Sequence, residues 1–543
     1  MQRTLSALIA DPSSAVRMSL RTILQSFDVG RIDTASTVAE ARRRLLDGKY
    51  DIVLCEYHFD ADETGQDLLE ELREKKALPL STIFIMVTGE SSYPRVVGVA
   101  EETPDDYMLK PVQSGALAER IEKAFLRREA LMDIYEALHV RDYTLALRTA
   151  QQMMALKTPY ITDIAKLSAN ILYRLGRYNE SAAMYKRILA ARNPAWAKLG
   201  LARVALKQGD KATAEAAMVD ILSQHLRYLP VYNALVDLYL SDERYAEALE
   251  VTEQAVKITP RSLQRLQKAG QLAWSLGDTA KAADYLGRAV KLNGRALDLD
   301  FRSLFHLALL QFDAGQTPDA SSLVKQMAAK HKEEPIAADG RRGEWYGELA
   351  VAMESIARRE PLAAIDILRK LSGHWDAPDF NLEFALDFFT VIDRLYADDI
   401  ATTLAEWLRP IALRFDTGRH AHELLAQRVA GRPRLLELVE AAGEHISAVA
   451  NQAAQQMVES NFRAASEGLV TEGLMSRNNR LLGAAANAAA KSYEAYREMS
   501  FRQQAETCLA LMMPPDEVLT RRLRTQLNEP LNDPLRGSGE NPV

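Results

Sequence analysis

Only two cysteines, Cys55 and Cys508, occur among 543 residues, so neither a disulfide framework nor a CxxC metal site can be built. A reducing cytoplasm is the compartment that suits such a chain. Apolar runs are short as well. No stretch approaches the roughly 18 consecutive apolar residues of a membrane span, and residues 1–10 break at Asp11-Pro12 before reaching the core length of a signal peptide. A basic excess is also missing: the formal charge is -7 with both signs interspersed. The clusters Arg42-Arg43-Arg44 and Arg521-Arg522 with Arg524 lack interleaved aromatics, so they read as solvated helix faces and no nucleic-acid partner is expected. There is no Walker-type phosphate loop, HExxH, nucleophile elbow or His-Cys cluster. His420 and His422 stand two apart and cannot share a helix face for metal binding. The sequence offers no catalytic constellation.

What is present falls into two regions. Residues 1–127 alternate short apolar runs with amphipathic helical segments, the mark of βα units around a parallel sheet. Five strands are expected, over residues 5–10, 31–35, 51–56, 83–87 and 106–109, and an open sheet of this kind places its site at the carboxyl ends of the strands. From residue 128 the strand signals stop and the pattern is helical, rich in alanine and leucine.

A repeat organises this second region. Turn signals stand at Arg141-Asp142, Gly176, Gly209, Glu243, Gly277 and Gly315, with spacings of 33, 34 and 34 between Gly176 and Gly277. A period near 34 indicates helical hairpins of tetratricopeptide type. Five positions after each turn comes a small residue that lets paired helices approach: Ala146, Ser181, Ala214, Ala248, Ala282 and Ala320. Tyr143, Tyr178 and Tyr245 follow their turns, and Pro159, Pro194, Pro230 and Pro260 punctuate helix junctions. After residue 330 the phase slips. A hairpin is expected across residues 345–371, less regular helices to about 445, then two weaker units marked by Phe462 with Ala465 and by Phe501 with Ala505. The region is read as 128–513, leaving 514–543 as a C-terminal segment with a short charged stretch and a disordered tail.

Residues 4–125 resemble a response-regulator receiver domain. The stretches that carry the resemblance are Asp51-Ile52-Val53-Leu54-Cys55-Glu56, Gly65-Gln66-Asp67-Leu68-Leu69, Phe84-Ile85-Met86-Val87-Thr88-Gly89 and Asp106-Tyr107-Met108-Leu109-Lys110-Pro111. Together with the repeats they resemble bacterial response regulators whose output region is a tetratricopeptide array. The expected fold is therefore a five-stranded parallel flavodoxin-like (CheY-like) receiver followed by an α-helical superhelix.

The resemblance implies an acidic pair after the first strand which, with a phosphoacceptor aspartate, holds Mg²⁺. Here the acceptor position is Glu56, and the pair is Asp11 and Pro12. Proline has no side-chain oxygen, so two contributors are altered at once. Mg²⁺ binding is expected to be weak, with Asp11, Glu56 and the carbonyl of His58 as the candidate ligands, and no cofactor is assigned. Phosphoryl transfer needs an in-line nucleophile and cations that neutralise developing charge; a carboxylate displaced by one methylene is misplaced for it. Asp60 and Asp62 lie beyond the strand end, where loop solvation is the simpler reading. The resemblance also implies switch and pocket roles for Thr88, Tyr107, Lys110 and Pro111, with Lys110 meeting the acidic cluster, a cis bond before Pro111, and Thr88 and Tyr107 coupled to the face formed by the fourth and fifth helices. Glu56 alone does not imitate phospho-aspartate: a shift from 1:99 to 99:1 needs about 5.5 kcal/mol, against about 1.5–3 for a charge-assisted hydrogen bond. The expected state is a fixed one, with Glu56 bonded to Lys110 or Thr88.

Stacked hairpins line a concave groove with their first helices. By phase the groove carries Lys166, Asn170, Tyr173, Arg203, Lys207, Asn233, Asp237, Gln267, Lys268, Gln271 and Trp274, a mixed polar and aromatic set suited to a protein partner. Lys166 and Asn170 match the start of the carboxylate clamp of chaperone-binding repeats, whereas Gly200, Pro230 and Ala234 depart from it. The reading is a non-enzymatic cytoplasmic scaffold or adaptor. A histidine kinase or other two-component protein is a further partner class implied by the resemblance, and a homodimer is compatible with it. Two rivals stay open: a regulator phosphorylated with Mg²⁺ assistance, and an enzyme or transcription regulator using the irregular region 330–445.

Overall fold

Five parallel strands pair in the order β2-β1-β3-β4-β5. They are β1 (Leu5–Ala10), β2 (Val29–Ala35), β3 (Ile52–Glu56), β4 (Ile83–Thr88) and β5 (Asp106–Leu109). The computed structural model describes residues 5–27, 29–59, 64–74, 77–79, 81–89, 105–156, 158–260, 262–293, 299–333 and 340–528. The segment before β5, the loop carboxylates Asp60 and Asp62, and the tail from 529 lie outside them. Two compact units make up the chain: Met1–Asp242 with Glu247–Leu266, and Glu243–Ala246 with Gln267–Val543.

In the first unit, β3 and β4 are buried along their whole length, as parallel strands covered on both faces must be. Successive side chains divide between the faces. Ala7, Ile9, Ile52, Leu54, Ile83, Ile85 and Val87 join Leu20 and Leu24 of α1 (Ser14–Gln25) and Leu117 and Ile121 of α4 (Ser114–His139). Leu8, Ala10, Val53, Cys55, Phe84 and Met86 meet Ala41 and Leu45 of α2 (Val38–Asp47) and Leu68, Leu69 and Leu72 of α3 (Gly65–Glu74).

The expected boundary at 127 falls inside α4, a helix of 26 residues. Its first half packs on the sheet. Its second half places Leu131, Ile134 and Ala137 in the core of the first helical repeat, with Ala146, Leu147, Ala150, Ile164, Ile171 and Leu172. Arginines from the helix clasp the strand starts: Arg128 lies 3.2 Å from Asp51, while Arg120 pairs with Asp106 and Arg127 with Asp105.

The repeat turns have a common backbone cause. Arg141, Gly176, Gly209, Glu243, Gly277 and Gly315 all adopt positive φ, between 57° and 90°, the left-handed conformation that ends a helix and reverses the chain. The small residues five places on, Ala146, Ser181, Ala214, Ala248, Ala282 and Ala320, are all fully buried. Positive φ recurs at Arg359 and Ser460, again five residues before buried Ala364 and Ala465. The second unit thus continues as helices through Gly340–Ala357, Pro361–Ser372, Leu382–Leu395, Ala401–Phe415, Arg419–Arg428 and Pro433–Val458. The charged stretch after 513 forms the helix Glu517–Asn528, with Leu523 and Leu527 buried in a core shared with Leu481, Ala485 and Cys508.

Candidate functional site

Three strand ends bring the receiver-type residues together. At the end of β1 the amide of Asp11 donates to the carbonyl of Ala35 (3.0 Å), and its Oδ1 accepts the Ser13 amide (2.8 Å), a short-range turn that starts α1. Arg17 then donates to the carbonyls of Asp11 (2.6 Å) and Pro12 (2.8 Å). At the end of β3, Oε1 of Glu56 accepts the amides of Tyr57 (2.7 Å) and His58 (3.1 Å). Gly65 packs directly beneath: a Cβ there would lie 2.1 Å from the Glu56 carbonyl oxygen and 2.8 Å from Cys55 Sγ. At the end of β5 the Lys110 amide donates to the Thr88 carbonyl (2.8 Å), and the Lys110-Pro111 bond is cis.

The Lys110 ammonium bridges the two carboxylates. Its Nζ lies 2.6 Å from Asp11 Oδ2 and makes a short ion pair with Glu56 Oε2. Burial by itself lowers the affinity of Lys110 for its proton, but the hydrogen bonds and charges of Asp11 and Glu56 override it and hold the pKa above the ordinary lysine range. Burial, with Glu56 and Asp11 beside it, pushes the Cys55 thiol far up, so it stays protonated. Asp11 is 1% and Glu56 6% exposed.

Three of the four oxygens accept hydrogen bonds, from Ser13 on Asp11 and from two amides and Lys110 on Glu56, while Asp11 Oδ2 lies in ion-pair contact with Lys110 without a hydrogen-bond donor. Pro12 adds no side-chain oxygen. Mg²⁺ takes near-octahedral oxygen ligands, and Lys110 stands between the two carboxylates that would supply them. Among the described residues no group of three or more His, Cys, Asp or Glu is placed to hold a metal ion.

Of the other switch positions, Thr88 and Tyr107 face inward and Pro111 is exposed. Thr88 is fully buried. Tyr107 packs against the core shared by α2 and α3, its hydroxyl 3.4 Å from Gln66 Oε1.

In the first unit's repeats, the Lys166 ammonium sits 5.1 Å over the Trp196 ring, Asn170 Oδ1 accepts the Tyr185 hydroxyl (2.5 Å), and Tyr173 meets Tyr178 edge-on at 5.6 Å. Arg203 and Lys207 are half-buried, and Asn233 and Asp237 are exposed. Gly200 gives way to the Tyr185 ring, which would lie 2.3 Å from a Cβ; the place where a clamp would need a donor is filled by an aromatic ring.

In the second unit the expected groove residues lie elsewhere than foreseen. Gln267 accepts the Asp300 amide (2.7 Å), Gln271 donates to Asp300 (2.8 Å) and Ser303 (2.9 Å), and both are buried. Lys268 is half-buried. Trp274 is 1% exposed, and its Nε1 donates to Asp387 Oδ1 (3.1 Å). Asp300 and Ser303 take up Gln267 and Gln271, while Trp274 meets the helix Leu382–Leu395. Its Asp387 collects Trp274, His306 (2.9 Å), Arg302 (2.9 Å) and Tyr346 (3.1 Å), and Arg302 also meets Glu383 (3.1 Å). Burial tends to raise the Asp387 pKa, but the charges of Arg302 and His306 hold it well below the carboxylate range. Sequence reading missed this hub. Its signal was a lone aspartate within Phe384, Phe388 and Phe389.

Comparison with known proteins agrees with this architecture. Residues 7–122 match the family described as response regulator receiver domain, and residues 166–219, 199–262 and 268–335 match tetratricopeptide repeat. The chemotaxis protein CheY-3 of Vibrio cholerae is 25% identical over 130 residues, which cover 23% of this chain and 96% of that protein. BBSome complex member BBS4 of Bos taurus is 28% identical over 143 residues, 26% of this chain and 27% of its own length. Among solved structures, a CheY-like receiver domain from Methanospirillum hungatei JF-1 is 26% identical, covering 23% of this chain and 96% of its own, with a TM-score of 0.20. Pseudomonas aeruginosa pilF is 16% identical, covering 41% and 94%, with a TM-score of 0.31.

Proposed function

We propose that this chain, a CheY-like receiver domain followed by tetratricopeptide repeats, serves as a cytoplasmic signalling adaptor whose receiver does not accept phosphate and whose repeats bind a protein partner. One observation carries the reading of the receiver: Lys110 already joins Asp11 to Glu56, and both oxygens of Glu56 have protein donors. An acceptor must present a free oxygen in line with the phosphorus, and a cation must meet the incoming charge. Here the longer Glu56 turns one oxygen back onto its own loop amides and gives the other to the lysine. Partner binding rests on the repeat family and on the polar and aromatic face around Lys166, Trp196, Asn170 and Arg203. Among the described residues no helix is long and apolar enough to cross a membrane.

Incubation with Mg²⁺ and acetyl phosphate, followed by intact-mass measurement, tests the receiver assignment. The expected outcome is an unchanged mass. A phosphoryl gain mapped to Glu56 would overturn the assignment in favour of a phosphorylation-dependent regulator.

A further inference from the structure

β5 is four residues long, about 13 Å at roughly 3.3 Å per residue, and both of its ends are held by ions. Beyond Leu109 the chain passes straight to Lys110, which grips Asp11 and Glu56. Before Asp106 comes Asp105. Its amide donates to the Phe84 carbonyl (2.7 Å), its Oδ2 accepts the Phe84 amide (2.8 Å), and its Oδ1 is paired with Arg127 of α4. The Asp105 side chain is only 16% exposed, so this pair is less screened by water than a surface bridge.

Arg127 reaches in a second direction. Its Nη1 lies 3.9 Å from Asp163, in the first turn of the repeat helix Ile161–Arg174, which also carries Lys166, Asn170 and Tyr173. Arg127, on α4, therefore stands between Asp105 and Asp163. Arg120 and Arg128 fix α4 to Asp106 and Asp51.

We propose that β5 is a coupling rod: the ionic state of Lys110 with Asp11 and Glu56 sets the position of the strand, and Asp105, Arg127 and Asp163 pass that position to the repeat helix Ile161–Arg174. A rod of four residues anchored at both ends has little slack. A loosened Lys110 therefore loosens Asp105, and Arg127 shares the change between the receiver and the surface that carries Lys166. The route runs along the strand and needs neither Thr88 nor the Tyr107 ring to move.

Hydrogen exchange on the full chain tests the coupling, reading the amides of residues 161–174 in wild type, Glu56→Gln, Arg127→Gln, Asp163→Asn and the two doubles with Glu56→Gln. Glu56→Gln is expected to speed exchange there by about two- to tenfold. The effect should vanish in the Arg127→Gln and Asp163→Asn backgrounds, while the helix Lys211–Gln224 stays unchanged throughout. Asp163 is 43% exposed, so Asp163→Asn keeps the test decisive if Arg127→Gln fails to fold. Unaltered exchange over 161–174 in Glu56→Gln, or the same acceleration in all three backgrounds, would overturn the proposal. The readout involves neither phosphate nor a partner, so it stands apart from the adaptor assignment.

Discussion

Lys110 is the residue on which the receiver end turns. Removing it leaves Asp11 and Glu56 buried, charged and facing each other, and breaking a buried ion pair costs about 3–5 kcal/mol. Lys110→Met is expected to lower receiver stability by about that amount in urea unfolding. The pH response follows from the sign of the shift. Because the folded lysine holds its proton more tightly than the unfolded one, its contribution is fully present below the unfolded value of about 10.4 and is lost as pH rises through the higher folded value. Wild type should lose stability on that alkaline limb, and Lys110→Met should be flatter there. Asp11, Glu56 and Lys110 were all legible in sequence, since each sits at a fixed place beside a strand. The receiver resemblance also implied that Lys110 meets the acidic cluster; that Glu56 Oε1 is taken by the amides of Tyr57 and His58 was not legible, because the path of the loop after β3 is set only in three dimensions.

At the scale of elements, β1 and β5 have the bounds that alternation predicts, and the other three differ by one or two residues. β3 begins one residue late, at Ile52, although the Asp51 amide still donates to the Ser6 carbonyl and its carbonyl accepts the Ile83 amide, both at 2.9 Å. The repeat phase was readable because turn, small residue and aromatic share one period. It survives at Arg141 and Glu243, where a side chain takes the conformation that glycine adopts with less strain. The helix Leu382–Leu395 was not readable. Phase assigns a face to Trp274 but says nothing of what lies against that face, and the covering helix comes about 110 residues later, outside the repeat. Asp387→Ala tests its anchorage: losing the carboxylate strands Arg302 without its closest partner, and a cost of about 3–5 kcal/mol is expected for the second unit in urea unfolding. Asp387→Asn keeps the shape but not the charge and should fall between.

For the molecule as a whole, stability near neutral pH carries a titration at His422. His422 Nδ1 lies 2.6 Å from Asp416 and its Nε2 3.3 Å from Glu440, and Arg480 adds its charge to the Asp416 side. Burial lowers the His422 pKa, but the Asp416 bond and the Glu440 charge raise it above the ordinary histidine value. Its contribution is therefore complete below about pH 6.5 and is lost as pH rises through the folded value. Urea midpoints should decline across that window in wild type and less in His422→Asn. A different consequence follows from α4. A cut after residue 127 would divide a helix between two hydrophobic cores and sever Arg128 from Asp51. Any graft that preserves both halves must carry α4 intact and respect its rotational phase, since one inserted residue would turn Leu131 and Ile134 by about 100° away from the repeat they anchor.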